Sequence, residues 1–315
     1  MESGNFTYQV DPVFVFVLAV SIFFIIGITA TMLFFLFRYH KKRNKVAKDI
    51  HGHAGLEIIW TVIPLILVTF MFYFGWVGFK KMVNPPGDAM NIKATGRMWS
   101  WLFEYENGVQ TDTLYVPVNK PVKLTLNSLD VIHSFYIPAF RVKKDVVPGK
   151  IRNVLWFSAD AVGSYDAFCA EYCGQRHSYM LTKVVAMPQD SFNEWYADAG
   201  SQIQMMTIAK EEGETTATSS QRGLMLIKTK GGCIACHSLD GTNLVGPTFK
   251  GIYQRQETVL VAGEEQQIIA DETYLRKSMI DPTAQVVKGY LAVMPPAPLS
   301  EEEIEEVIAY LKELK

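Results

Sequence analysis

Neither sign of charge is in excess. Thirty Lys and Arg stand against 32 Asp and Glu, for a formal net charge of -2. A net charge this small says little, and a nucleic acid is not the expected partner. Lys and Arg are missing before Arg38, so the first apolar run has no basic region ahead of it, as a secretory signal peptide would. Cysteine is scarce, four in 315 residues, and none is left over. Two lie at Cys169 and Cys173, and two in Cys233-Ile-Ala-Cys236-His237. Histidine is scarce too, six in all: His40, His51 and His53 share one basic loop, while His133, His177 and His237 each fall in a candidate metal motif. Apolar residues are abundant. A hydrophobic content of 49% and a mean hydropathy of +0.10 are high for a soluble protein and point to membrane segments.

Val13 to Phe37 is an apolar run of about 25 residues, long enough to cross a bilayer and too long for a signal-peptide core. Arg38, Lys41, Lys42, Arg43, Lys45 and Lys48 follow it. Such a run can be a solvated face; between two apolar spans it reads as a cytoplasmic loop. Ile58 to Phe79 is the second span, with Pro64 a possible bend near its start. Lys80 and Lys81 argue for the opposite orientation, but two do not outweigh six. The expectation is a transmembrane hairpin over 1–81 (spans 13–37 and 58–79), with loop 38–56 cytoplasmic and both termini extracytoplasmic.

Asn84-Pro-Pro-Gly-Asp ends the second helix and opens a globular region over 82–200. Alternating or β-branched runs recur at Met98–Tyr105, Thr113–Val116, Val122–Asn127, Asn153–Phe157 and Leu181–Ala186, separated by turn residues. Short strands at this spacing predict a sandwich or barrel. Gln189 to Ala199 reads as a closing helix. Residues 201–220 are rich in Ser, Thr and Glu, lack proline and have little periodic apolar content after Ile208, so they read as a flexible linker. A last domain then covers 221–315.

The densest chemistry is Cys169-Ala-Glu-Tyr-Cys-Gly-Gln-Arg-His-Ser-Tyr-Met180, with His133 upstream in Asp-Val-Ile-His-Ser-Phe. Thiolate and thioether donors with imidazole favour copper over magnesium or calcium, and two Cys, two His and one Met can hold a pair of copper ions bridged by both sulfurs. Two other readings stay open: a Cys169–Cys173 disulfide, or a tetrahedral Cys2His2 zinc site. Neither uses Met180. In the last domain, Cys233-Ile-Ala-Cys236-His237 is the C-x-x-C-H pattern of covalent haem c attachment; a redox dithiol or half a zinc site are the alternatives. His237 would ligate the iron. Met294, held in extended backbone by Pro295, is preferred as the second axial ligand over Met279, which lies in an apparently helical stretch. Glu301 to Leu314 predicts an amphipathic helix with acids in its first turn.

C-x-E-x-C-G-x-x-H-x-x-M with an upstream V-x-H-S-F resembles the CuA site of cytochrome c oxidase subunit II. The resemblance implies His133, Cys169, Cys173, His177 and Met180 as side-chain ligands and Glu171 as a ligand through its carbonyl. It also implies that the Glu171 carboxylate faces a magnesium ion shared with the catalytic subunit. It implies a cupredoxin-like Greek-key barrel with the metal ligands on loops at one end. Glu57, in Glu-Ile-Ile-Trp-Thr-Val-Ile-Pro, matches the glutamate at a proton-pathway entrance; an interfacial carboxylate is the plain alternative. Trp99, in Trp99-Ser-Trp101-Leu-Phe-Glu-Tyr105, matches the tryptophan through which electrons enter, on an exposed aromatic segment beside CuA; ordinary core packing is the alternative. Arg97-Met98 departs from the family's His-Gln pair and Ser100 from its tyrosine. Gly246-Pro247 resembles the loop of all-α class I cytochromes c whose proline carbonyl orients the proximal histidine.

The whole chain resembles subunit II of a bacterial caa-type oxidase with a fused cytochrome c. That implies one electron-transfer subunit of a proton-translocating oxidoreductase in the bacterial inner membrane, partnered by catalytic subunit I and other oxidase subunits. An upstream cytochrome or quinol-oxidising complex would be the donor. Some members of the family carry a cleaved leader. A stand-alone membrane-anchored electron carrier is the alternative, which Glu57 and Glu171 disfavour. A quinol oxidase subunit, which keeps the barrel and loses the copper, is disfavoured by the intact ligand set.

Overall fold

The computed structural model describes residues 4–46, 51–212 and 216–315. Lys48 of the basic run and residues 213–215 of the expected linker lie outside the described residues. Two long helices, α1 (Thr7–Arg38) and α2 (Ala54–Val83), form the hairpin. Each reaches beyond its apolar run, because polar residues at the ends continue the same backbone ladder. α2 starts where His53 Nδ1 accepts the Leu56 N–H at 3.2 Å, a side-chain N-cap. Their apolar side chains face outward, as lipid-exposed spans require.

Among the described residues, the hairpin is tied to the globular part at one end. Phe6 is buried in the core of that part against Trp156, with ring centroids 4.8 Å apart. Arg141 donates to both oxygens of Asp11, at 2.7 and 3.2 Å. Trp156 Nε1 donates to the Lys81 carbonyl at 3.1 Å. The helix ends at Arg38 and Ala54 therefore lie at the far end of the hairpin.

Ten strands follow: β1 (Met90–Arg97), β2 (Ser100–Tyr105), β3 (Gln110–Thr111), β4 (Leu114–Pro117), β5 (Val122–Ser128), β6 (His133–Ile137), β7 (Val142–Val146), β8 (Val154–Phe157), β9 (Gly163–Cys169) and β10 (Leu181–Met187). They make two five-stranded sheets, in the orders β3-β2-β1-β5-β8 and β4-β10-β9-β6-β7. β1 runs parallel to β5, and β10 parallel to β4; the other neighbours are antiparallel. The result is a cupredoxin-like sandwich. Its core is aromatic and β-branched: Phe103, Phe135, Phe140, Phe157, Val116 and Val142 are fully buried. The expected strand Met98–Tyr105 begins two residues late, since Met98 and Trp99 form the turn between β1 and β2. β1, β3, β6, β7 and β9 were not expected as strands; β7 carries Lys143, Lys144 and Asp145, which mask its alternation.

α3 (Gln189–Glu212) starts as expected but runs well past Ala199, and α4 (Thr216–Lys228) follows. The stretch expected as a flexible linker is thus helical on both sides of 213–215. Strong helix formers and the lack of proline outweigh the missing apolar stripe. The last domain is not wholly helical either. β11 (Gln256–Val261) and β12 (Glu264–Ile269) form a hairpin, joined by β13 (Val286–Val287). Ala262 and Gly263 at its tip both have positive φ, +51° and +91°, as a tight hairpin turn demands. α5 (Glu272–Ile280) and α6 (Glu301–Glu313) complete the domain. α4 and α6 cross closely. A Cβ at Gly223 would overlap the Glu306 carbonyl, and a buried Arg222–Glu306 pair (3.1 Å) joins the two helices.

Candidate metal centre and haem pocket

Four segments meet at one end of the sandwich: the start of β6 (His133), the end of β9 (Cys169), the loop 170–179, and Met180 just before β10. Backbone bonds knit them. Cys169 N–H donates to the Met180 carbonyl at 3.1 Å, and Ala170 N–H to the Ser134 carbonyl at 2.9 Å. The donor atoms converge accordingly. Cys169 Sγ lies 3.8 Å from Cys173 Sγ, 3.9 Å from His133 Nδ1 and 3.2 Å from the Glu171 carbonyl oxygen. Cys173 Sγ lies 3.6 Å from His177 Nδ1 and 3.8 Å from Met180 Sδ. A disulfide needs sulfurs about 2.05 Å apart, so both thiols are free. Metal–sulfur bonds of about 2.3 Å span a sulfur pair up to about 4.6 Å apart, so both sulfurs can bind the same metal. The Met180 and Glu171 donors exceed what a four-coordinate zinc would take. This soft set fits a sulfur-bridged copper pair.

The free thiols differ in acidity. Burial opposes ionisation of both. At Cys169 the His133 imidazole and nearby backbone groups outweigh it and lower the pKa; at Cys173 burial and the charge of Cys169 raise it.

Asp130 organises this end of the molecule, a role the sequence reading did not assign. Its Oδ1 lies 2.8 Å from His133 Nε2 and its Oδ2 accepts the Met98 N–H at 2.7 Å. A carboxylate on the far nitrogen leaves His133 Nδ1 facing the sulfurs and fixes the ring. The signal was Asp three residues before His133. Trp99 lies beside the loop, as the resemblance implies, and its Nε1 donates to the Cys173 carbonyl at 3.0 Å. It is not on an exposed segment: it is only 5% exposed, as Trp101 is 2%. Gly174 (φ +109°) gives the Trp99 ring its place, because a Cβ there would sit 3.3 Å from it. The Glu171 side chain is exposed.

In the last domain a cavity of about 400 Å³ is lined by Cys233, Cys236, His237, Met279 and Met294, with Tyr274, Leu275, Val307 and Leu311 in its wall. His237 Nδ1 donates to the Pro247 carbonyl at 2.7 Å, and its ring stacks on Phe249 with centroids 4.3 Å apart. Burial lowers the His237 pKa, favouring a neutral imidazole. A Cβ at Gly246 would overlap the ring. Apolar walls, two thiols and a held imidazole fit a covalently attached haem. Met279 is buried in the core on α5, whereas Met294 lies in a stretch without helix or strand. The cavity is shared: Arg97, Met98, Leu129 and Asp130 of the sandwich also line it. Glu57 stands apart, in the first turn of α2 at the far end of the hairpin.

Fold and donors together define a membrane protein with a cupredoxin-type metal domain and a cytochrome c domain. Three family models match in sequence order: "Cytochrome C oxidase subunit II, transmembrane domain" over residues 3–75, "Cytochrome C oxidase subunit II, periplasmic domain" over 108–187, and "Cytochrome c" over 220–315. Cytochrome c oxidase subunit 2 of Alkalihalophilus pseudofirmus is 33% identical across 95% of this chain and 86% of its own length. That of Bacillus sp. PS3 is 32% identical across 89% and 80%. Among solved structures, the periplasmic domain of subunit II (CoxB) of Bradyrhizobium japonicum is 31% identical, covers 38% of this chain and 99% of that one, and has a TM-score of 0.36. The chain belongs to the cytochrome c oxidase subunit II family, in a form that carries a C-terminal cytochrome c domain, and is thus a subunit of a haem-copper oxidoreductase.

Proposed function

We propose that this subunit carries electrons in the order haem c, CuA, catalytic subunit I. Haem c and a copper pair, when bound, supply successive one-electron carriers. The observation that supports this order is the short bonded route across the sandwich. Met98 and Asp130 line the haem cavity, Met98 N–H binds Asp130, and Asp130 binds the ring of His133. His133, Cys169, Cys173, His177, Met180 and the Glu171 carbonyl would hold the copper. Cys233 and Cys236 would attach the haem, and His237 and Met294 would ligate its iron. Trp99, whose Nε1 donates to the Cys173 carbonyl, would be the point where electrons enter the copper loop.

Residues 82–315 stand on the extracytoplasmic face of the bacterial inner membrane and loop 38–56 in the cytoplasm. The six basic residues of 38–48 support that orientation. Glu57 at that end would then gather protons for subunit I, and the exposed Glu171 carboxylate would face a shared magnesium ion. An upstream cytochrome or quinol-oxidising complex would feed the haem. The test is rapid electron injection into the haem of the purified complex. Haem reoxidation and copper reduction should proceed at one shared rate. Copper reduction that precedes or bypasses the haem would refute the order.

A further inference from the structure

Two arginines of the sandwich reach into the haem-attachment segment. Arg97, the last residue of β1 and only 6% exposed, donates from Nη1 to the Lys230 carbonyl and from Nη2 to the Thr229 carbonyl. Its Nε donates to Ser100 Oγ at 3.2 Å, which fixes the guanidinium plane. Thr229 and Lys230 directly follow α4, so their carbonyls sit at the negative end of that helix, where backbone acceptors lack partners and a cation is favoured. Gly232 makes the approach possible: its φ is +61°, and a Cβ there would overlap the Arg97 guanidinium. Arg176 is the neighbour of His177 in the metal loop. It donates from Nη1 to the Ala235 carbonyl, inside the C-x-x-C turn, and lies 5.2 Å from the Tyr179 ring centroid. Between these contacts, Cys236, Val245 and Val293 pack against the core of the sandwich.

We propose that Arg97 and Arg176 are positioning residues that clamp the haem-attachment turn to the copper end of the sandwich, so that the cytochrome c domain is docked there rather than swinging free. Arg97 stands where the family resemblance expects histidine, and Arg176 had no assigned role. Each arginine binds from the copper side and grips a backbone carbonyl adjoining or inside the C-x-x-C turn. Carbonyls are present whatever the side chains, so the fork recognises the turn's shape. Charge-assisted bonds of this kind favour the docked over the undocked state by about tenfold or more each. A lysine keeps the charge but not the two-pronged reach, so it should serve better at 176, with one acceptor, than at 97, with two.

The proposal rests on the haem-to-copper reading, and one experiment separates them. In the purified, fully loaded oxidase complex, the relaxation of the oxidised copper signal in electron paramagnetic resonance reports how near the oxidised haem lies. Wild type should show strong relaxation enhancement. Arg97→Ala with Arg176→Ala should lose most of it, with copper content, haem stain and both optical spectra unchanged. Arg176→Lys should retain more of the enhancement than Arg97→Lys. If Arg97→Ala prevents copper loading, the comparison of Arg176→Ala with Arg176→Lys still decides, since the first should lose enhancement and the second keep it. Full enhancement in the loaded double variant, or in Arg176→Ala alone, would overturn the clamp. Enhancement in wild type without electron passage from haem to copper would sink the electron order and leave the clamp standing.

Discussion

The two centres of this chain are held in opposite ways. At the copper end, strand ends and backbone bonds bring the donors together: Cys169 pairs with Met180, Ala170 with Ser134, and Asp130 locks His133. At the haem end the cavity occupies the middle of a smaller core, and side chains such as Leu275, Val307 and Leu311 line it while also forming that core. The sandwich brings its donors together by its own backbone bonds, whereas a haem in the cytochrome c domain would fill the middle of that domain's core. A group that binds only the folded state stabilises it by mass action, and a covalent one does so permanently. An unfilled core costs stability in proportion to the space left.

The largest expected effect tests this contrast directly. Copper removal by a chelator should leave the sandwich folded, with its aromatic circular dichroism little changed. Cys233→Ala with Cys236→Ala should leave the last domain loosened, cleaved by protease at a rate at least about tenfold above wild type, because local opening governs cleavage. Equal resistance in both cases would show that the haem domain, too, is built without its cofactor.

A smaller effect probes how the haem end holds its histidine. Gly246→Ala forces a methyl group into the His237 ring, which the Pro247 bond and the Phe249 stack prevent from yielding. Overpacking of this kind costs about 1–3 kcal/mol. Haem stain should persist, because the thioethers are untouched, while the axial-ligand bands of the visible spectrum shift. An unchanged spectrum would mean the ring is free to move.

The smallest effect lies at the start of α6. Ser300 and Glu303 form a reciprocal capping box. Ser300→Ala should cost about 1 kcal/mol in the haem domain and nothing at the copper end, as read by separate thermal transitions. Burial pushes the Glu303 carboxyl up, but the Lys230 ammonium and the Ser300 N–H outweigh it and hold the pKa below the usual carboxylate range. The contribution is therefore present above that range and is lost as pH falls through the lowered folded value. The Lys230–Glu303 contact, at 2.7 Å, should open in the same window.

The convergence of donor atoms was legible because their chemistry is spelled by residue type: thiols, imidazoles and thioethers at fixed spacing around His133, Cys169, Cys173, His177 and Met180. The membrane hairpin was legible from its apolar runs. Other features needed three dimensions. Asp130 is an ordinary acid until the ring of His133 is seen to turn its far nitrogen toward it. The resemblance implied an exposed segment at Trp99, yet its ring is buried, with Gly174 beside it and its Nε1 on the Cys173 carbonyl. β7 and β9 hide behind charged and polar outward positions such as Lys143 and Asp166. The Gln256–Ile269 hairpin lies between helices in a domain expected to be all helical, and α3 continues through a stretch whose composition suggested a linker.

The claim that the haem domain lies on the main electron path is tested most directly by truncation after Glu212, which keeps α3 whole and removes the cytochrome c domain. The measurement is steady-state oxygen consumption by the purified complex with its native donor, truncated against full length, at matched copper content. Tethering holds the haem domain at an effective concentration of order mM, so the truncated complex should turn over at least about tenfold more slowly while its copper spectrum is intact. Equal turnover by the two complexes would contradict the account.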